Sequence, residues 1–131
     1  VVTAIRERKL LPQVTAAGAK LRAALEERFG NHPHVGDIRG RGLLLGLELV
    51  QDRASKAPFA ADKLLWVNVT RAALERGLIC YPGGGTADGQ IGDHILLAPP
   101  FIITDSHIEE IVDKLADSLD DALRRDPPSL T

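Results

Sequence analysis

The apolar positions of this chain repeat with two different periods. Across residues 13–29, Val14, Ala17, Leu21, Ala24, Leu25 and Arg28 recur at three- and four-residue steps, which predicts a helix with one buried face. Pro12 suits its first turn, and Gly30 with Asn31 reads as its stop. Residues 1–12, mixed apolar and basic, predict a helical connector. Residues 35–39 predict a short strand, Gly40-Arg41-Gly42 a turn or bulge, and residues 43–50 a second strand. Only Gly46 and Glu48 interrupt the second run, so burial on both faces is expected. A polar loop at 51–58 precedes a helix over 60–76, with Leu64, Leu65, Val67, Ala72 and Leu74 on its buried side and Gly77 at its end. Residues 78–81 predict a strand, 82–93 a glycine-rich loop, and 94–98 a strand stopped by Pro99 and Pro100. Thr104 or Asp105 caps a last helix striped by Ile108, Ile111, Val112, Leu115, Leu119 and Leu123. Arg124 and Arg125 suit the C-terminal end of its dipole, and residues 126–131 read as a frayed tail.

Two hairpin-like strand pairs among three helices predict an α+β fold: a small antiparallel or mixed sheet of about four strands covered by helices. Length and charge fit one compact domain. The chain has 131 residues, 44% of them hydrophobic and 26% charged, with a formal net charge of −2. That balance gives no basis for a nucleic-acid partner or an anionic-membrane anchor, and no apolar run approaches a membrane span. The single cysteine, Cys80, excludes an internal disulfide and points to a reducing, cytoplasmic setting. The chain lacks methionine altogether, so its start is expected to have been cut from something longer.

Few residues announce chemistry by spacing. The run Gly83-Gly84-Gly85-Thr86 has the backbone freedom to cradle an anion, but no Gly-Lys-Ser/Thr follows it, so a flexible connection is the expected reading. Arg39 and Arg41 flank Gly40 and have the spacing to grip a carboxylate; pairing with Asp37, Glu48 or a carbonyl to pin the turn is preferred. His32 and His34 lack a third metal ligand and are expected in a surface loop. Asp93 and His94 are strand neighbours that point to opposite faces, so no dyad is expected. Cys80 is expected to be a packed thiol. Five lysines sit in helices or a polar loop.

The stretch from Val35 to Leu49, VGDIRGRGLLLGLEL, resembles the VRGxGLxxGxEL stretch of class-III, or omega-type, aminotransferases. The segments at 73–79 (ALERGLI) and 97–104 (LAPPFIIT), and the closing helix, recur there in the same order. These are pyridoxal-phosphate enzymes of fold type I, and the resemblance covers residues 1 to about 123. It implies the C-terminal small domain of such a subunit at 13–125, a connector from a large domain at 1–12 and a tail at 126–131. The Schiff-base lysine and most cofactor contacts are then expected in the large domain, so no catalytic or cofactor-binding residue is assigned in this segment, which alone is expected to be inactive. The parent is expected to be a homodimer that transfers an amino group between an amine or amino acid and a keto acid or aldehyde.

The resemblance also marks a departure. Many relatives carry an arginine in a pattern like RxxPP, where it binds the substrate carboxylate. Leu96 stands at that position here and cannot make the contact. His94 is the nearest polar candidate to replace it, and Tyr81, Gly83 and Gly84 border the same region. Arg41 is read as a structural brace. The competing reading is a stand-alone ligand-binding or regulatory α+β module.

Overall fold

The computed structural model describes residues 1–129. Four helices, α1 (Val2–Glu7), α2 (Leu10–Phe29), α3 (Leu65–Glu75) and α4 (Asp105–Arg124), accompany four strands: β1 (Val35–Arg41), β2 (Leu44–Leu49), β3 (Tyr81–Gly84) and β4 (Asp93–Leu97). The strands form one antiparallel sheet in the order β1-β2-β4-β3. The expected α+β fold is therefore present, with every strand pair antiparallel.

Helices α2, α3 and α4 cover one face of the sheet. Leu21, Leu25 and Phe29 of α2, Leu65 and Val69 of α3, and Leu115 and Leu119 of α4 join Leu45, Leu47, Leu49 and Ile95 in one core. Strand β2 alternates: Leu45, Leu47 and Leu49 are buried, whereas Leu44 is 58% exposed and Gly46 and Glu48 are partly so. Burial on both faces, expected from composition, does not occur. Leucines occupy both sides of β2, but helices cover only one.

Other boundaries moved for identifiable reasons. The helix expected over 60–76 is split into a 3₁₀ turn (Ala61–Lys63) and α3, because Leu64 adopts a left-handed φ of 48° between them. The strand expected at 78–81 starts at Tyr81 and continues through Gly84, where β4 supplies the partner. Residues 78–80 carry the apolar composition of a strand but no ladder partner. Helix α2 begins at Leu10 after a left-handed Lys9, which separates it from α1. Helix α4 is capped by Thr104 through a reciprocal box: Thr104 Oγ1 accepts from His107 N–H, and His107 Nδ1 accepts from Thr104 N–H. The tail begins tied down, since Asn68 Nδ2 donates to the Asp126 carbonyl at 3.0 Å; Leu130 and Thr131 lie outside the described residues.

The β1–β2 connection is a two-residue turn at Gly42 and Leu43. Gly42 has φ +58°, and Leu43 is buried. Helix α2 meets this turn backbone to backbone: a Cβ at Gly18 would lie 2.3 Å from the Gly42 carbonyl oxygen. The sheet edges are both occupied. Lys56 Nζ donates to the Gly36 carbonyl and Arg22 Nη2 to the Ile38 carbonyl at 3.1 Å along β1, while β3 carries Pro82, which has no N–H.

Helices α3 and α4 are joined by ions. Asp121 receives Arg125 at 2.7 Å and Arg76 at 3.0 Å, and Arg125 also reaches Glu75. Arg125 foremost, with Arg76, holds the Asp121 carboxyl down at about 2. The stability this network adds is present above the ordinary carboxylate range and is lost as pH falls through about 2. Thermal unfolding followed from pH 5 to pH 2 is expected to show that loss, and Arg125→Gln to flatten it.

Gly18→Ala separates local propensity from packing. Alanine in an open helix position stabilises by up to about 1 kcal/mol. Here the added methyl meets a carbonyl, and a loss of about 1–3 kcal/mol is expected by urea unfolding. A gain in stability would show that the helix and the turn separate freely.

Candidate active-site face

The sheet face away from the helices is open, and register assigns its residues. One cross-strand row runs Arg39, Gly46, Leu96, Tyr81; the next runs Asp37, Glu48, His94, Gly83. A cavity of about 440 Å³ on this face is lined by Arg39, Arg41, Leu44, Gly46, Thr86, His94 and Leu96, among others. Leu96 lies across Gly46: a Cβ there would come within 3.2 Å of Leu96 Cδ2. The cavity floor is therefore aliphatic.

One of its two arginines is already engaged. Arg39 Nη1 donates to Glu48 at 2.6 Å and to Asp37 at 2.9 Å, and Glu48, then Asp37, raise the Arg39 pKa. Arg39, not Arg41, is the brace of the hairpin. The Arg41 guanidinium has no ion pair or hydrogen bond among the described residues. Glu48 selects Arg39 because those two share the open face one row apart, whereas Arg41 lies beyond the last row that holds an acid.

The four polar or glycine candidates separate into two groups. His94 lines the cavity and Gly83 lies beside it under the imidazole ring, where an added Cβ would come within 2.8 Å of Cε1. Tyr81 shares the face but stands at the far strand, 72% exposed. Gly84 looks the other way, under Trp66, whose indole would be 2.8 Å from a Cβ there. Leu96 is in the cavity.

Asp93 and His94 part as strand geometry requires. Asp93 is buried on the helix side, where its Oδ1 accepts from the Trp66 N–H in the first turn of α3 at 3.2 Å. Burial pushes its pKa up, partly opposed by that N–H and by His94. His94 instead meets Thr86, with Oγ1 2.6 Å from Nδ1. Sequence reasoning missed Thr86 as a site residue. The available signal was its position at the end of the glycine run, eight residues before His94 in a hairpin.

The glycine-rich loop is not a free connection. Thr86 N–H donates to the Gly92 carbonyl, Ala87 N–H to Ile91, and the Asp88 carboxylate accepts from the Gln90 and Ile91 N–H groups at 2.8 Å each. Burial pushes the Cys80 thiol up to about 11, so it keeps its proton at neutral pH. His34 packs on Phe59 and His32 reaches Asp120 at 3.5 Å; no metal-ligand cluster occurs among the described residues.

The comparisons with known proteins decide the family. The model of the family described as "Aminotransferase class-III" matches residues 1–119. The chain belongs to the class-III aminotransferases. An uncharacterized aminotransferase of Schizosaccharomyces pombe is 43% identical over 119 residues, covering 91% of this chain and 26% of that protein. Taurine–pyruvate aminotransferase of Bilophila wadsworthia is 34% identical over 110 residues, covering 82% and 23%. The solved omega transaminase of Pseudomonas jessenii in complex with PMP superposes with a TM-score of 0.78 at 35% identity, over 93% of this chain and 25% of that one. The chain thus spans about a quarter of the length of these relatives.

Family membership implies pyridoxal phosphate, but the described residues do not fit that group. Lys20 pairs with Asp105, Lys114 with Glu110, Lys56 with the Gly36 carbonyl and Lys63 with the Leu123 carbonyl, and Lys9 ends the α1–α2 break. None of the five lines the sheet-face cavity.

The buried Asp93 gives a pH prediction. Its folded pKa lies above its unfolded value, so its contribution to stability is complete below the unfolded pKa and is lost as pH rises through the folded one. Asp93→Asn keeps an oxygen for the Trp66 N–H and removes the charge. Urea unfolding from pH 4 to pH 8 is expected to show the variant losing less stability than wild type as pH rises. Parallel curves would remove Asp93 as the source.

Proposed function

We propose that this chain is the C-terminal small domain of a pyridoxal-phosphate-dependent aminotransferase, with residues 1–12 as the connector from a large domain. The family match over residues 1–119, joined to a span of about a quarter of its relatives, carries the proposal. The whole protein moves an amino group between an amine or amino acid and a keto acid or aldehyde, as a cytoplasmic homodimer. Bound pyridoxal phosphate supplies an electron sink for the carbon that bears the amino group. The lysine that holds it belongs to the rest of the protein, so the segment alone is inactive.

The open sheet face is the part of this chain that meets substrate. Leu96 gives it an apolar floor, Arg39 is occupied by two carboxylates, and His94 is its polar handle. A substrate end resting on Leu96 is apolar or singly hydrogen-bonded. A second carboxylate finds the Arg39 guanidinium occupied and only Arg41, at the end of β1, unpaired among the described residues that line the cavity.

The test uses the longer protein that carries this segment, loaded with pyridoxal phosphate and assayed for amino transfer to pyruvate from a panel of amines and amino acids. Turnover is expected with the longer protein and none with residues 1–131 alone. Cofactor binding without turnover of any donor would favour the ligand-binding module instead. Leu96→Arg is expected to raise kcat/KM for a dicarboxylic acceptor about tenfold, through one charge-assisted contact.

A further inference from the structure

We infer that Thr86 and Gly83 are positioning residues that fix the orientation and tautomer of the His94 ring, its Nε2–H presented to the sheet-face cavity to donate to a carbonyl or carboxylate oxygen. This rests on the substrate-side reading of that face.

Thr86 Oγ1 lies 2.6 Å from His94 Nδ1, and no other acceptor among the described residues takes the Thr86 hydroxyl proton. The proposed tautomer is the one in which this hydroxyl donates to Nδ1, which leaves the ring proton on Nε2. Nε2 itself has no hydrogen-bond partner among the described residues.

Geometry fixes the ring. A Cβ at Gly83 would lie 2.8 Å from Cε1 and 2.9 Å from Nε2, but 3.7 Å from Nδ1. The Cε1–Nε2 edge therefore fills the space that any side chain at 83 requires. Thr86 is held in turn by backbone bonds across its loop, Thr86 N–H to the Gly92 carbonyl at 3.2 Å and Ala87 N–H to Ile91 at 3.0 Å. Loop, hydroxyl and ring form one assembly, closed on the strand side by a glycine.

The charged neighbours do not displace this arrangement. Glu48 on β2 is the cross-strand partner of His94, but its carboxylate receives Arg39, which also binds Asp37 on β1. Asp93, next in sequence, faces α3. The imidazole is left to pair with a hydroxyl inside the protein and with a ligand outside it.

Long-range ¹H–¹⁵N NMR of the 131-residue chain reads the tautomer without any need for catalysis. Wild type, read at a pH where the ring carries a single proton, is expected to show His94 as the Nε2–H form. Thr86→Val is expected to admit the Nδ1–H form, Thr86→Ser to restore the wild-type nitrogen shifts, and Gly83→Ala to move the His94 ring signals with the fold retained by circular dichroism. Wild-type His94 found as Nδ1–H, or identical nitrogen shifts in wild type and Thr86→Val, would overturn the inference. In the longer, cofactor-loaded protein, Thr86→Val is expected to raise KM for the oxo acceptor about fivefold, with kcat within about twofold and recovery in Thr86→Ser. An unchanged KM would overturn the ligand role of the assembly. Absence of turnover in wild type would instead count against the functional reading alone, since the tautomer result stands apart from it.

Discussion

Everything on the sheet is referenced to one contact, where the backbone of α2 at Gly18 meets the backbone of the hairpin turn at Gly42. No side chain intervenes, so the distance from helix to turn is set by two peptide groups and cannot be adjusted by rotamers. Leu43 is buried beside the turn, and the alternate leucines of β2 then fall toward α2 and α4 in register. Because β2 pairs with both β1 and β4, its placement also sets the row in which Leu96 crosses Gly46 and His94 stands beside Glu48. The geometry of the open face therefore originates at the turn that joins β1 to β2.

Two adjacent residues of β4 divide the labour of the chain. Asp93 faces inward and supplies a carboxylate to the first turn of α3, where Leu64 offers no side-chain cap. His94 faces outward and meets Thr86. A one-residue slip of β4 would exchange these environments, placing an imidazole among the helices and a carboxylate on the open face. Gly83 and Gly84 repeat the division on β3, one under His94 and the other under Trp66.

Helices were readable because their spacing is redundant. The α4 stripe repeats over about four turns, and Thr104 three residues before His107 marks its start. Strand boundaries were less so. Residues 78–80 have strand composition without a partner, and the strand itself runs through Pro82, Gly83 and Gly84, which local propensity disfavours. The leucines of β2 concealed its alternation, since sequence records apolarity but not which face the helices cover. At the site, the likeness to a family singled out Leu96 and His94. Thr86 went unnoticed because its link to His94 spans a loop whose hydrogen bonds exist only once the chain has folded. The roles of Arg39 and Arg41 likewise depended on the row that holds Glu48, which is a property of register.

Both margins of the four-stranded sheet are sealed by the chain itself. Arg22 and Lys56 occupy carbonyls that β1 would otherwise offer, and β3 presents a proline. An open edge of a small sheet is a template for recruiting foreign strands, edge to edge, into fibrils. Here a newcomer at β1 must evict two cations, and at β3 it finds a missing donor. A strand added at either rim therefore meets an occupied carbonyl or a missing donor.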